Sequence, residues 1–337
     1  MQTRSLGPSG PLVSAIGLGC MGMSGTYGPI DDAESVQTIA AAAEAGVTLI
    51  DTGDFYGQGH NELLLREALW GLPRERLFLS LKFGMLRAPS GGFLRMDAHP
   101  DSIKNFLAYS LRRLGTDYID LYQPARLDPT VPIEETVGAM AELVDAGYIR
   151  HIGLSEVSSD TIRRAHAVHP ITAVQLEYSI VSRGIEHDIL PTLRELGIGV
   201  VVYGVLSRGL LRENAVSSAE SGAQDLRRNM PRFQGENFAH NQRLVAELRS
   251  IAEARGLSVP QLAMVWALSR GTDIVPLIGA RTREQLEPML DVADLTLSSC
   301  DLEQIDAVVP ADAAAGDRYP ASSMAHLDSE RAMAAQL

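Results

Sequence analysis

AAAEAGVTLID, residues 41–51, reads as the end of a helix, a glycine, and an apolar strand that closes on a carboxylate. The same order recurs along the chain. LRRLG runs into TDYIDLY at Gly115, LVDAG into YIRHIGL at Gly147, LRELG into IGVVVY at Gly197, and ALSRG into TDIVPLIG at Gly271. Glycine is suited to the left-handed residue that ends a helix, so each of these marks a switch from helix to strand. The apolar runs Ala15 to Gly19, Leu77 to Lys82 and Ala173 to Leu176 bring the strand count to eight. Strands alternating with helices imply parallel βαβ units, and this number predicts an α/β fold, a closed (β/α)8 TIM barrel forming a single domain over residues 1–310.

Working outward, residues 1–14 read as a short β-hairpin turning at Pro8-Ser9-Gly10, outside the repeat. Helix starts agree with the repeat: Asp31 and Glu34 have capping-box spacing, and Pro132 and Pro260 sit where a first-turn proline is tolerated. Two segments exceed ordinary loop length. Arg212 to Asn241, after strand seven, is rich in Arg, Asn, Ser and Gly and is expected to be a long loop acting as a lid, since barrel active sites lie on that rim. Residues 311–337 are Ala-rich and are expected to form a loosely ordered C-terminal tail.

Gly17-Leu18-Gly19-Cys20-Met21-Gly22 matches the glycine pattern of dinucleotide-binding Rossmann units, with Asp51 at the end of the next strand. That pattern needs a helix opening at its third glycine, so that helix N–H groups meet the pyrophosphate. Here Met23 to Pro29 intervenes, and the Rossmann reading is rejected. The glycines, Gly19 among them, are expected instead to let backbone approach a ligand at the barrel mouth.

The chain of 337 residues carries 29 basic and 42 acidic residues, a net charge of −13, which argues against non-specific binding to nucleic acid or an anionic membrane. Any anionic ligand must find a local basic pocket. Cys20 and Cys300 are the only cysteines, too few for a disulfide framework or a Cys-rich metal site, and the eight histidines show no ligand pair at helical spacing with a nearby acid. No metal is expected. Met1 to Gly10 has no apolar signal core and no run approaches the ~20 apolar residues of a membrane span, so a cytoplasmic location is expected.

Asp51 ends one strand, Lys82 ends the next, and Tyr56 follows Asp51 within one turn, so a parallel barrel puts carboxylate, ammonium and phenol on one rim. Taken singly, each residue has an ordinary explanation as a turn former, a packing side chain or a solvated strand end. Together they form what proton donation by tyrosine requires. A free phenol, with a pKa of about 10, is a poor acid near neutrality, and a nearby ammonium held by a carboxylate favours its ionised form.

These residues, with GLGCMGMS (Gly17–Ser24), YGP (Tyr27–Pro29), VPIEETVGAMAELV (Val131–Val144), IGLSE (Ile152–Glu156), RRAHAVHP (Arg163–Pro170) and PRFQGEN (Pro231–Asn237), resemble the aldo-keto reductase superfamily over nearly the whole chain. The resemblance implies NADPH-dependent reduction of an aldehyde or ketone on a (β/α)8 barrel. Tyr56 is then the general acid, Lys82 its pKa-lowering neighbour and Asp51 the partner of Lys82. It further implies that Ser155 and Gln175 hold the nicotinamide carboxamide and that Tyr203 stacks under the ring. Leu206, Ser207 and Arg208 line the pyrophosphate, while Gly279, Arg281 and Gln285 meet the adenosine phosphate. The chain departs from the pattern in three places: Glu156 replaces an asparagine, Pro288-Met289 replaces Glu-Asn, and Ala125 stands where the family has its catalytic histidine. Two rival readings follow from Ala125: reduction of a non-carbonyl bond, or an NADPH-binding regulatory protein with little turnover.

Overall fold

Eight parallel strands close on themselves in a computed structural model that describes residues 1–212 and 214–330. In chain order the strands are β1 (Thr3–Ser5), β2 (Leu12–Ser14), β3 (Gly17–Gly19), β4 (Leu49–Gly53), β5 (Phe78–Phe83), β6 (Met85–Arg87), β7 (Phe93–Met96), β8 (Ile119–Pro124), β9 (Ile149–Ser155), β10 (Ile171–Glu177), β11 (Gly199–Tyr203) and β12 (Ile274–Ile278). The barrel runs β3-β4-β5-β8-β9-β10-β11-β12 and closes where Leu277 pairs with Gly17 and Ile278 with Leu18. A β-carbon on Gly17 would lie 2.6 Å from Cδ2 of Leu277 and 2.9 Å from Leu49, so the closing seam requires glycine there.

Helix ends follow the expected glycines at Gly46, Gly115, Gly147 and Gly197, all with positive φ. Gly271 differs. Its φ is ordinary, but a β-carbon would meet Oδ1 of Asp273 at 2.1 Å and Nη2 of Arg194 at 2.6 Å, so it is small because an ion pair lies over it. The helix Asp32–Glu44 is capped by Asp31, whose side chain accepts from the Glu34 N–H at 3.1 Å. The capping box is incomplete, because the Glu34 carboxylate turns to Arg283 instead. No helix opens at Gly22: Met21–Ser24 is a 3-10 turn, which removes the geometry a Rossmann unit needs.

β1 and β2 pair antiparallel as the expected hairpin. Leu6 and Val13 from it pack on Leu49, Phe78, Leu121, Ala173, Val201 and Val275 and plug the end of the barrel where the strands begin. Arg4 fixes the plug by donating to the carbonyls of Leu268 and Gly271, both at 2.8 Å. Outside the strands, Ile39, Leu65, Ile103, Met140, Ile162, Leu193, Leu248 and Trp266 are buried between helices and barrel. Among the described residues, no helix is long and apolar enough to cross a membrane.

The opposite end is open and walled by three excursions. The antiparallel pair β6 and β7 follows the barrel strand β5, and nothing in the sequence reading anticipated it. The long loop after β11 contains the 3-10 turns Leu226–Asn229 and Pro231–Phe233, and a helix begins at Gly235, earlier than expected. It is strapped to the loop after β3 by Leu226 N–H donating to Thr26 O at 3.0 Å. The stretch expected to be a loose tail is corrected for residues 311–330. Arg318, Leu327, Asp328 and Ser329 are buried, and Asp328 accepts from the Ser158 N–H at 2.9 Å and from Thr161 Oγ1 at 2.6 Å at the start of the helix Ser159–Val168. Buried carboxylates in the barrel rim supply the cause, as shown below. Residues 331–337 of that expected tail lie outside the described residues.

Candidate active site

Parallel register sets the first elements of the site. Asp51 of β4 lies opposite Ser80 of β5, and Gly53 lies opposite Lys82, so both side chains emerge at the open rim. The Lys82 ammonium is ion-paired and hydrogen-bonded to Oδ1 of Asp51. It lies 5.3 Å from the centre of the Tyr56 ring, which the 3-10 turn Tyr56–Gly59 brings back over the strand ends. Oδ2 of Asp51 accepts from Ser80 Oγ at 2.9 Å and from Gln175 Nε2 at 2.7 Å. Three donors therefore fix the carboxylate, and its ion pair anchors Lys82.

Burial raises the Tyr56 phenol well above its ordinary pKa, and the Asp51 charge raises it further; the leading opposing charge is the guanidinium of Arg126. Lys82 is pulled below its usual value by burial, against the pull of Asp51. At neutral pH the phenol thus holds its proton until something at the mouth accepts it. Arg126, a residue the sequence reading passed over, adjoins the expected trio.

The mouth is a cavity of about 850 Å³. Of the sequence-predicted residues, Gly19, Asp51, Tyr56, Lys82, Gln175, Tyr203, Leu206, Arg208, Gly279, Arg281 and Gln285 line it. Ser155 and Ser207 do not. Ser155 lies just beneath, buried at the end of β9, with an Oγ that has no hydrogen-bond partner. Ser207 is buried and 3.5 Å from Arg232 Nη1. Backbone strain concentrates here: Gln58, Glu156, Ser207 and Arg208 all have positive φ without being glycine. Each such residue costs on the order of 1–3 kcal/mol, a cost that clusters at ligand sites.

Glu156, in the family's asparagine position, is fully buried and takes part in a network no sequence motif announces. Its Oε1 accepts from the Glu177 N–H at 2.7 Å and from the Tyr203 hydroxyl at 2.9 Å. Its Oε2 accepts from Arg318 Nη2 at 2.5 Å. Glu177 in turn pairs with Arg208 at 2.7 Å and with Arg318 at 3.3 Å. These two buried glutamates are what hold the stretch around Arg318 in place. Tyr319 beside it enters the mouth, its hydroxyl 3.0 Å from that of Tyr203 and its ring under the Arg208 guanidinium at 4.3 Å.

At the far side of the mouth Arg212, Arg227 and Arg281 converge. Burial lowers the Arg212 pKa, and the charges of Arg227 and Arg281 lower it further, so three cations face one region. Arg227 is partly neutralised by Asp225 at 2.6 Å, while the Arg281 guanidinium donates to the Tyr27 carbonyl at 3.4 Å and has no ion pair among the described residues. Gly22 lets Arg281 lie close, since a β-carbon there would be 3.1 Å from Arg281 Cγ. Arg283, two positions on, is exposed and committed to Glu34. A cluster of like charges in an acidic chain has the chemistry to receive an anion.

The remaining wall pairs Phe93 of β7 with His326, ring centres 5.5 Å apart, joining the small hairpin to the C-terminal segment above Tyr56. Asp97, His99 and Asp128 are the one group of potential metal ligands among the described residues, and they lie outside this cavity.

The profile of the Aldo/keto reductase family matches residues 15–310. Over 322 residues the chain is 41% identical to the Glycine max protein named "Probable aldo-keto reductase 1", covering 95% of this chain and 92% of that one. A glycerol dehydrogenase from Gluconobacter oxydans superposes with a TM-score of 0.83 at 31% identity, over 91% of this chain and 94% of its own. An aldo-keto reductase from Bacillus halodurans, in its holo form, gives 0.77 at 29% identity, over 92% and 97%.

Proposed function

The chain belongs to the aldo/keto reductase family, a family of oxidoreductases, and on that premise we propose that it reduces an aldehyde or ketone to an alcohol with NADPH, Tyr56 protonating the oxygen. One observation carries this reading: Lys82 lies between the triply hydrogen-bonded Asp51 carboxylate and the face of Tyr56, in the mouth of a large cavity. When bound, the reduced nicotinamide supplies hydride to the carbonyl carbon. The protein's own residues bind, orient and protonate.

The donor set fits a pyridine dinucleotide. The orphaned Oγ of Ser155 and the side chain of Gln175 offer polar groups for a carboxamide, and Tyr203 offers a flat apolar ring. Leu206, with Ser207 and Arg208 on strained backbone, flanks the path of a pyrophosphate. Gly19 and Gly279 leave room for close approach, and Arg281 with Gln285, aided by Arg212 and Arg227, faces the adenosine phosphate. Glu156 fits less well than an asparagine, because its carboxylate is an acceptor only and is already bound to Arg318.

The substrate is a small or medium carbonyl compound entering between Phe55, Phe93 and His326. Following NADPH absorbance over a panel of aldehydes and ketones, including pyridoxal and sugar-derived aldehydes, tests the reading. Steady oxidation with at least one is expected. NADPH binding with no turnover across the panel would replace it with the regulatory reading that Ala125 raises.

A further inference from the structure

Ala125 leaves the site without the family's fourth catalytic side chain, and its methyl group does not reach the cavity. The residue is buried immediately after β8, its N–H donating to the Phe83 carbonyl at 2.9 Å, so the wall is closed behind it. The next side chain does reach the mouth. Arg126 lines the cavity together with Tyr56, Tyr203 and Tyr319.

Arg126 also differs from the arginines around it. Arg208 is ion-paired to Glu177 and Arg318 to Glu156, both glutamates buried. Among the described residues Arg126 has no ion pair at all. It donates to its neighbour's carbonyl, Ala125 O, at 2.5 Å and over a long 3.4 Å to the Tyr319 hydroxyl. Its guanidinium is 6.0 Å from the Tyr319 ring, at the edge of cation–π range. A guanidinium has five N–H donors, so most of this one's capacity is unused on the protein. An inward-facing cation whose donors are largely unspent on the protein is placed to meet an incoming acceptor.

Its field falls where the chemistry is. Arg126 acts on both Tyr56 and Lys82 and offsets part of the upward push on the phenol from burial and Asp51. Burial lowers the pKa of Arg126, yet the neighbouring phenols and Glu156 outweigh that and leave it raised, so it stays charged throughout.

Resting on the carbonyl-reductase reading above, we propose that Arg126 is a catalytic residue that donates a hydrogen bond to the substrate's carbonyl oxygen, in the place vacated at position 125. In the step, the C=O π bond breaks as hydride from the reduced nicotinamide forms the new C–H bond. The electron pair moves to oxygen, and that oxygen takes the Tyr56 proton as the new O–H bond forms. Arg126 gives up no proton. It stabilises the oxygen while negative charge accumulates, which is the role of an oxyanion donor. A fixed cation suits this role, because its strength does not change with pH across the working range.

The test uses the full chain, NADPH and 4-nitrobenzaldehyde, which is neutral. Arg126→Ala is expected to lower kcat by about 10²-fold to 10³-fold, the usual loss of one oxyanion donor, with the NADPH Kd from fluorescence titration unchanged. Ethylguanidine added to the variant restores part of the rate, and Ala125→His in the Arg126→Ala background recovers at least about tenfold. Wild-type turnover that Arg126→Ala leaves within threefold overturns the inference alone. A rise in KM confined to 4-carboxybenzaldehyde also overturns it, making Arg126 an anchor for substrate anions. A rate loss rescued by neither ethylguanidine nor the histidine overturns it in favour of a structural role. If the wild-type protein reduces no carbonyl, the functional reading falls and this inference with it.

Discussion

Arg318 crosses the barrel mouth to place Nη2 at 2.5 Å and Nη1 at 3.2 Å from the two carboxylate oxygens of Glu156, a residue 162 positions earlier in the chain. Both side chains are buried, and Ser329 adds a third donor to the same carboxylate at 2.7 Å. Burial alone would push the Glu156 pKa up. Arg318, with help from Arg126 and Ser329, holds it far below the usual carboxylate range.

Removing one partner of a buried pair leaves an uncompensated charge, which costs about 3–5 kcal/mol. Arg318→Ala should therefore lower Tm by several degrees, and adding Glu156→Gln should recover part of the loss. The pH sign follows from the depressed folded value: the Glu156 contribution is fully present above the unfolded pKa of ~4.5 and is lost as pH falls below it. Denaturation curves from pH 7 to pH 3 should show a shallower acid limb for the variant. An unchanged Tm for Arg318→Ala would mean the contact contributes nothing.

Tyr56→Phe deletes the transferable proton and little volume. It should lower kcat at least ~10²-fold with NADPH affinity intact. Lys82→Met should do the same, because the Asp51 carboxylate then loses its counter-charge beside the phenol. Single-turnover measurements near the wild-type rate for Tyr56→Phe would place the acid elsewhere.

Arg281→Ala should weaken NADPH binding and leave NADH nearly unmoved, since a charge-assisted contact to the extra phosphate contributes roughly 1.5–3 kcal/mol. The expected loss is larger than for Arg283→Ala, whose guanidinium is already held by Glu34. Parallel fluorescence titrations with both cofactors check this. Equal losses for NADPH and NADH would remove Arg281 from the phosphate site.

Asp54 follows the strand that carries Asp51, and burial together with the nearby Glu62 raises its pKa to about 7. The folded protein then holds a proton that the unfolded chain releases at ~4, so stability falls as pH rises from about 4 to 7, by up to ~4 kcal/mol. Asp54→Asn should remove that slope and gain most over the wild type at pH 8. Parallel Tm–pH curves for the two proteins would rule it out.

The barrel was legible because its signal is local. Gly46, Gly115, Gly147 and Gly197 each end a helix by their own backbone geometry, and the strands after them are short apolar runs. Asp51, Tyr56 and Lys82 were legible for the same reason, since strand ends fix where they point. Arg318 and Tyr319 were not. Their partners, Glu156, Glu177, Tyr203 and Arg208, lie more than a hundred residues away, and an Ala-rich stretch gives no periodicity to reveal them. The hairpin of β6 and β7 was missed because its strands are short, mostly exposed and do not alternate apolar with polar. Arg126 was hidden by its neighbour: the alanine at 125 drew attention away from the next side chain, which lines the mouth.

The seam between β12 and β3, where Leu277 meets Gly17, also sets a timetable for the chain's birth. On the ribosome the first strands emerge long before the last, so the outer edge of β3 waits for a partner some 260 positions downstream. Closing so long a loop carries an entropic cost before any contact repays it, and folds dominated by distant contacts form slowly. Closure of the barrel therefore waits for β12, the last of its eight strands. Until β12 arrives the outer edge of β3 has no strand beside it, which makes the growing chain, rather than the finished barrel, the state more exposed to aggregation.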